Sequence, residues 1–196
     1  MEEIKITYME KPASVSWEQI SDVLVRSHAK NREQGIVLPY PHLPPAEMRE
    51  KVEQKNGTMF VAMHGDKLVG TAAVLFTNRK LWCGAGPYAY CCLASILPEY
   101  AGHGIYRNLL DIEDAFIMSK GYHRVLFDSD EKNKRIFEIS RKDGYKFVEY
   151  SIHPTHRSIV MVKWFGKAPY PDFVFAVMFA MLKRWRILKY KLSKRR

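Results

Sequence analysis

The residues of this 196-residue chain that could do chemistry gather around one glycine-bearing turn. Ala101-Gly102-His103-Gly104-Ile105-Tyr106 follows an apolar run and precedes an amphipathic one, which is the order strand, turn, helix. A helix that starts this way presents N–H groups with no intrahelical partner, and the helix dipole adds about half a positive charge, so the place suits a phosphate. Gly102 and Gly104 let the backbone approach a pyrophosphate closely, and His103 can add a hydrogen bond. Acid–base work has five candidates: Tyr88 and Tyr90 ahead of the turn, Asp128 and Asp130 beyond the next strand-like run, and His42 in a proline-rich stretch. Each also has a plain structural reading. The tyrosines can be packing aromatics, the aspartates can cap a helix near Lys132, and His42 can be a solvated imidazole. Cys83, Cys91 and Cys92 have neither Cys-x-x-Cys nor Cys/His spacing, so reduced thiols and no metal are expected.

The elements that must hold these residues read as an alternation of strands and helices. Ile4, Ile6 and Tyr8 alternate with polar residues as a first strand, and Ser16 caps a helix carrying Ile20, Val23 and Leu24 to about Lys30. Val37 to Pro45 has four prolines in nine residues and is predicted to be an exposed loop, followed by a short helix over 46–55. Met59–Met63 and Lys67–Phe76 form a hairpin around His64-Gly65-Asp66. A glycine-rich stretch, Cys83 to Pro87, then leads into Tyr88–Leu97, an apolar run of central-strand type. Beyond the turn at Ala101–Tyr106 come a helix through Phe116, a strand at His123–Phe127, a helix at Lys132–Arg141, and strands at Gly144–Tyr150 and Ser158–Phe165. Helices between strands require some parallel pairing, so the fold class is α/β with a mixed sheet.

Two blocks carry a family resemblance. Leu93-Ala-Ser-Ile-Leu-Pro-Glu-Tyr-Ala-Gly-His-Gly-Ile-Tyr-Arg-Asn-Leu-Leu110 resembles the coenzyme A motif of the GNAT superfamily of N-acyltransferases: an apolar strand, Pro-Glu-Tyr, spaced glycines, then Leu-Leu on a helix. Asn133-Lys-Arg-Ile-Phe-Glu-Ile-Ser-Arg-Lys-Asp-Gly-Tyr145 is similar to that family's Asn-x-x-Ala-x-x-Leu-Tyr-x-x-x-Gly-Phe, in register. The resemblance covers roughly residues 59–165 and implies a GNAT-like acyl-CoA N-acyltransferase fold, with acetyl-CoA or another acyl-CoA as co-substrate. It implies that Leu93, Ala94, Ser95 and Ile96 meet the pantetheine arm through backbone groups, and that Ala101 to Tyr106 hold the pyrophosphate. Asn133 would bond the pantetheine or the thioester end, and an amide at Cys92 or Leu93 would polarise the thioester carbonyl. Three positions depart from the pattern: Ala101 stands where the family prefers Gln or Arg, Tyr106 where it prefers a small residue, and Ser140 where a tyrosine commonly protonates the leaving thiolate.

The activity implied is transfer of an acetyl or other acyl group to a primary amine by direct attack on the thioester, which needs no thiol nucleophile and leaves Cys91 and Cys92 as small core residues. A thiol has a pKa near 8.5, so thiolate departs without an obligatory acid, whereas a lysine amine is only about one part in 10³ neutral at pH 7. With no obvious base in the chain, the expected acceptor is a small molecule with a less basic amine, such as an amino sugar or an α-amine. The alternative is a catalytically inactive acyl-CoA-binding or membrane-associated scaffold in which the three departures record lost catalysis.

Composition limits the partners. Net charge is +10, but Lys183 to Arg196 hold eight of the 31 basic residues and no acidic one, leaving 23 basic against 21 acidic residues elsewhere. The chain therefore divides into an acyltransferase-like domain, 1–165, and a proline-containing linker with a basic amphipathic helix, 166–196. Phe173–Leu182 is ten apolar residues, too short to span a bilayer, which takes about 20. On a helix, Met181, Trp185, Leu188 and Leu192 share an arc of about 60°, opposite Lys183, Arg186, Tyr190 and Lys194. Such a helix suits an anionic membrane surface; docking on the core or on a second subunit of a homodimer is the other reading. Nucleic acid is not the expected partner, because no nucleic-acid-binding motif accompanies the basic tail. The start of the chain has neither a basic n-region nor an apolar h-region, so a cytoplasmic protein is expected, with the tail at the inner face of the membrane.

Overall fold

Two long antiparallel strands, Lys67–Leu81 and Gly84–Ile96, form the frame of the molecule, and their paired centres are runs of β-branched, aromatic and small apolar residues. The computed structural model describes residues 5–38 and 43–193, so His42 and Lys194 lie outside the described residues. The elements are β1 (Thr7–Glu10), α1 (Trp17–Ser27), α2 (Ala29–Glu33), α3 (Pro45–Gln54), β2 (Thr58–His64), β3 (Lys67–Leu81) and β4 (Gly84–Ile96). After a 3₁₀ turn at Pro98–Tyr100 follow α4 (Ile105–Ser119), β5 (Arg124–Asp130), α5 (Lys134–Lys142), β6 (Lys146–Ile152), β7 (Arg157–Trp164) and α6 (Asp172–Ser193). Among the described residues the sheet has seven strands in the order β1-β2-β3-β4-β5-β7-β6, and of their pairings β4 with β5 alone is parallel, because the crossover through α4 separates them.

Two expectations shift at this level. The strand expected from Tyr88 begins earlier, within the glycine-rich stretch: Leu81 pairs with Gly84 and Asn78 with Pro87, so the stretch tightens the β3–β4 reversal and enters the ladder at once. The first helix does not run to Lys30 but stops at Ser27, and a separate α2 starts at Ala29. Between them His28 is held on both ring nitrogens, by Asn31 at 3.0 Å and by Ser95 on β4 at 2.7 Å.

Packing follows the alternation along β3. Phe76 meets Phe116 and stacks on Tyr122 at 4.4 Å, which seats α4 on one face; the neighbouring Leu75 points the other way, toward the end of α3 at Val52 and Gly57. Helix α1 is fixed by the Ser16/Gln19 capping box and buries Ile20, Val23 and Leu24. Helix α6 lies against β6, where Phe175 is buried with Tyr88, Leu126, Val148 and Val162 and flanked by Trp82 and Trp164. Burying that phenylalanine is worth about 2–3 kcal/mol. Further along, Phe179 stacks on Phe147 at 5.1 Å, Lys183 reaches Glu131 at 3.5 Å and covers the Tyr150 ring, and Arg186 faces Glu149 at 3.8 Å.

Candidate active site

Strands β4 and β5 run together for only two residue pairs, Ala89 with Val125 and Tyr90 with Leu126, and then part. The parting has a local cause. Leu93 adopts φ +53°, and Leu93 with Ala94 together oppose Ala72, because Thr71 pairs with Ser95 and Ala73 with Cys92. This is a β-bulge, which bends the strand away from its neighbour. A left-handed non-glycine residue costs of order 1 kcal/mol, and the Thr71 hydroxyl steadies it by donating to the Leu93 carbonyl at 2.8 Å. Beyond the Tyr90–Leu126 pair Leu93, Ala94, Ser95 and Ile96 line a wedge between the parted strands. The Ser95 side chain, however, is turned to His28. Burial, with Arg32 adding repulsion, lowers that histidine to about 4, so its ring is neutral at neutral pH.

A cleft of about 390 Å³ opens from this wedge toward the start of α4, lined by Ala94 to Ile96, Ala101, Gly102, Gly104 to Tyr106, Asn133 and the cations Lys30 and Arg135. Gly102 at φ +90° and Gly104 at φ +72° turn the chain into the helix, and the N-cap has no side-chain acceptor, so the first-turn amides face outward. A second cavity, of about 140 Å³, lies deeper and shares His28, Ala94, Tyr106, Asn133 and Ile136 with the first. A third cleft, of about 350 Å³, with Lys51, Lys55 and Arg79 at its edge, shares Tyr90 and Asp128 with the central cavity. The central cavity therefore has walls in common with two openings.

Of the proposed bases the structure brings Tyr90 and Asp128 together, the phenol donating to Asp128 Oδ1 at 2.8 Å where the central cavity meets the third cleft. Asp130 is committed elsewhere: its carboxylate accepts from the amides of Lys132 at 2.9 Å and Val37 at 3.0 Å, which ties the turn ahead of α5 to the segment after α2 and does not cap the helix, whose N-cap is Asn133. Tyr88 is a correction. It is fully buried in the cluster around Phe175, its hydroxyl donates to the Gly84 carbonyl at 2.8 Å, and Arg124 covers its ring at 4.3 Å, so it does not reach the cavity. Asn133 begins α5 with its amide donating to Ser129 Oγ at 3.1 Å, and His103 is exposed against the Tyr100 carbonyl. Ser140 is buried in the cavity wall with Cys92 and Leu93. The Tyr106 ring extends between the cavities, and burial drives its phenol upward, so at neutral pH it is a neutral wall.

Sequence reasoning missed two groups in this cavity. Tyr145, five residues beyond Ser140, presents a buried phenol raised well above the ordinary range by desolvation. Glu113 is 1% exposed, and neither carboxyl oxygen has a hydrogen-bond partner among the described residues. Burial pushes it well above the usual carboxylate range, so it stands as a neutral acid beside Cys91, whose thiol burial also raises. A signal existed: Glu113 falls midway between Leu109 and Ile117, on the buried stripe of α4. Behind it Lys163 pairs with Asp114 at 2.6 Å and Asp143 at 2.8 Å, and Arg107 also pairs with Asp143, closing that side with compensated charge.

The arrangement can hold a phosphate-bearing thioester along β4 and admit a second reactant past Tyr90 and Asp128. Residues 17–139 match the sequence profile of the acetyltransferase (GNAT) family. No curated protein matches the chain. Solved structures share the fold at low identity. The ribosomal-protein-S18-alanine N-acetyltransferase of Escherichia coli superposes with a TM-score of 0.62 at 12% identity, over 84% of this chain and 96% of that one. FeeM, an N-acyl amino acid synthase from uncultured soil microbes, gives 0.59 at 10% identity, over 82% and 91%. The PaiA N-acetyltransferase of Thermoplasma acidophilum in complex with coenzyme A gives 0.59 at 19% identity, over 82% and 99%.

Proposed function

The chain belongs to the acetyltransferase (GNAT) family, an enzyme family that uses acyl-CoA, and from that premise we propose that it acylates a weakly basic primary amine of a small molecule, an α-amine or an amino sugar, by direct attack on the thioester. The observation that carries the reading is the central cavity with two approaches, one from the glycine turn at Gly102 and Gly104, the other past the Tyr90–Asp128 pair. Donor and acceptor then meet without sharing an entrance, and no covalent enzyme intermediate is needed.

The pyrophosphate sits on the amides of 102–106 with Lys30 and Arg135 alongside, and the pantetheine runs along β4 where it parts from β5, past Asn133. The amine nitrogen attacks the thioester carbon, and the resulting oxyanion is held by a backbone amide at Cys92 or Leu93, where the bulge turns the strand. Collapse breaks the C–S bond and releases the CoA thiolate. Asp128, oriented by the Tyr90 hydroxyl, takes the proton from the attacking amine directly or through a water. A carboxylate is a weak base for a lysine-type ammonium, only about one part in 10³ neutral at pH 7, whereas an amino sugar, or an α-amine next to an amide or ester carbonyl, has a pKa near 8 and is about one part in ten neutral. That hundredfold difference favours the less basic class. The name of one fold relative mentions an amino acid product, which is in keeping with a small-molecule acceptor, and that of another mentions an alanine of a ribosomal protein.

Calorimetric titration with acetyl-CoA and free CoA, followed by thiol release over a panel of amino acids, amino sugars and aliphatic diamines, tests this. Binding with release driven by the less basic amines is expected. Best turnover with a diamine would overturn the acceptor class, and binding without release to any amine would favour an acyl-CoA-binding scaffold.

A further inference from the structure

The outer face of α6 is apolar and uncovered. Phe173, Val177, Met181, Trp185, Leu188 and Leu192 are between 53% and 69% exposed. At 100° per residue, the last five fall within an arc of about 80° along a helix about 33 Å long. Six large apolar side chains in one contiguous stripe exceed the scattered exposure normal for a monomer. The helix is seated on β6 by its other face, through Phe175, Phe179, Lys183 and Arg186. The cations at 183 and 186, which the sequence pattern opposes to the stripe, thus bind the protein's own acidic residues.

Exposed cations border the stripe on both sides. Arg184 and Lys191 lie along one flank, and Lys189 lies along the other with its ammonium 5.3 Å from the Trp185 ring centre. No acidic residue follows Asp172. A second copy of α6 would therefore bring only like charges to the edges of an apolar seam, whereas a lipid surface brings apolar depth at the stripe and negative charge at its rim. No helix of the described residues is long and apolar enough to cross a membrane. We infer that α6 lies flat in the surface of an anionic lipid bilayer, with Met181, Trp185, Leu188 and Leu192 entering the acyl boundary and Arg184, Lys189 and Lys191 meeting the headgroups.

The geometry also gives the site an orientation. Tyr88 and Tyr90 are two residues apart on β4 and share a sheet face, and Phe175 of α6 packs in the cluster of Tyr88 and Leu126. The cleft containing Tyr90, Leu126 and Asp128 thus opens on the face that carries α6. If the function proposed above holds, the acceptor is met at or near the lipid surface.

Flotation of the full chain with vesicles tests the docking without reference to activity. Binding is expected to vesicles of phosphatidylcholine and phosphatidylglycerol at about two to one, weakening as salt is raised, with little binding to phosphatidylcholine alone. Leu188→Asp and, separately, Trp185→Ser should each abolish flotation while the thermal melt stays unchanged, since both side chains are outward. Lys189→Gln should weaken binding about fivefold. Equal binding to both vesicle types would overturn the role of the cations. No binding to either, or a concentration-dependent dimer that Leu188→Asp splits, would overturn the lipid surface as the occupant.

Discussion

The cradle at the start of α4 and the cavity beneath the parted strands are built on opposite principles. The cradle consists of backbone: Gly102, Gly104 and the uncapped first turn supply it, and Ala101 offers no side-chain donor. The cavity consists of side chains, with Tyr90, Asp128, Ser140, Tyr145 and Glu113 converging from two strands, two helices and the turn before β6. A backbone site tolerates changes of side chain but not of φ. A side-chain site tolerates the reverse.

The contrast would be broken most severely at Asp128. Asp128→Asn keeps the size of the group and removes the proposed base, so kcat is expected to fall about 10²-fold or more with CoA affinity unchanged, while Tyr90→Phe, which only loosens the orientation, should cost less than about tenfold. A fall in CoA affinity in either variant would erase the distinction between the regions.

At the cradle the corresponding test is Gly104→Val. A β-branched residue at φ +72° is strained by about 1–2 kcal/mol, so CoA affinity should drop about tenfold by calorimetry, although open space surrounds the position of the added Cβ.

Glu113 sharpens the comparison through stability. Its carboxyl is raised in the folded state, so between the ordinary value near 4.5 and the raised one the native chain binds more protons than the unfolded chain, and stability falls as pH rises through that window. Glu113→Leu removes this decline. Its melting temperature should exceed that of the parent, with a margin larger at about pH 8 than at about pH 5.

The smallest effect is expected at Ala101. Ala101→Arg adds a cation beside the cradle and should tighten CoA by no more than about fivefold, because an exposed charge pair is worth about 1 kcal/mol or less.

The cradle was the more legible of the two regions in the sequence. Glycines, Pro98, and the apolar run before them are signals along the chain, and the local conformations they impose are those found. The cavity was legible only as a set of candidates. Tyr88 and Tyr90 have equal claims in the sequence, yet the first is enclosed beneath α6 and the second reaches Asp128, since only at Tyr90 do the strands begin to part. Asp128 and Asp130 differ in the same way: one meets a phenol on β4 and the other holds the amide of Val37, 93 positions away.

The chain by itself determined the alternation of elements, the GNAT resemblance, the glycine turn and the amphipathic pattern of α6, because each depends on neighbours within a few residues and on the fixed periods of helix and strand. Tertiary structure alone decided where β4 bends, which tyrosine faces the cavity, that the Glu113 carboxyl is left without a hydrogen-bond partner among the described residues, and which face of α6 the protein covers. These depend on burial and on pairings between distant residues, and desolvation acts on a side chain only when the rest of the fold has closed around it.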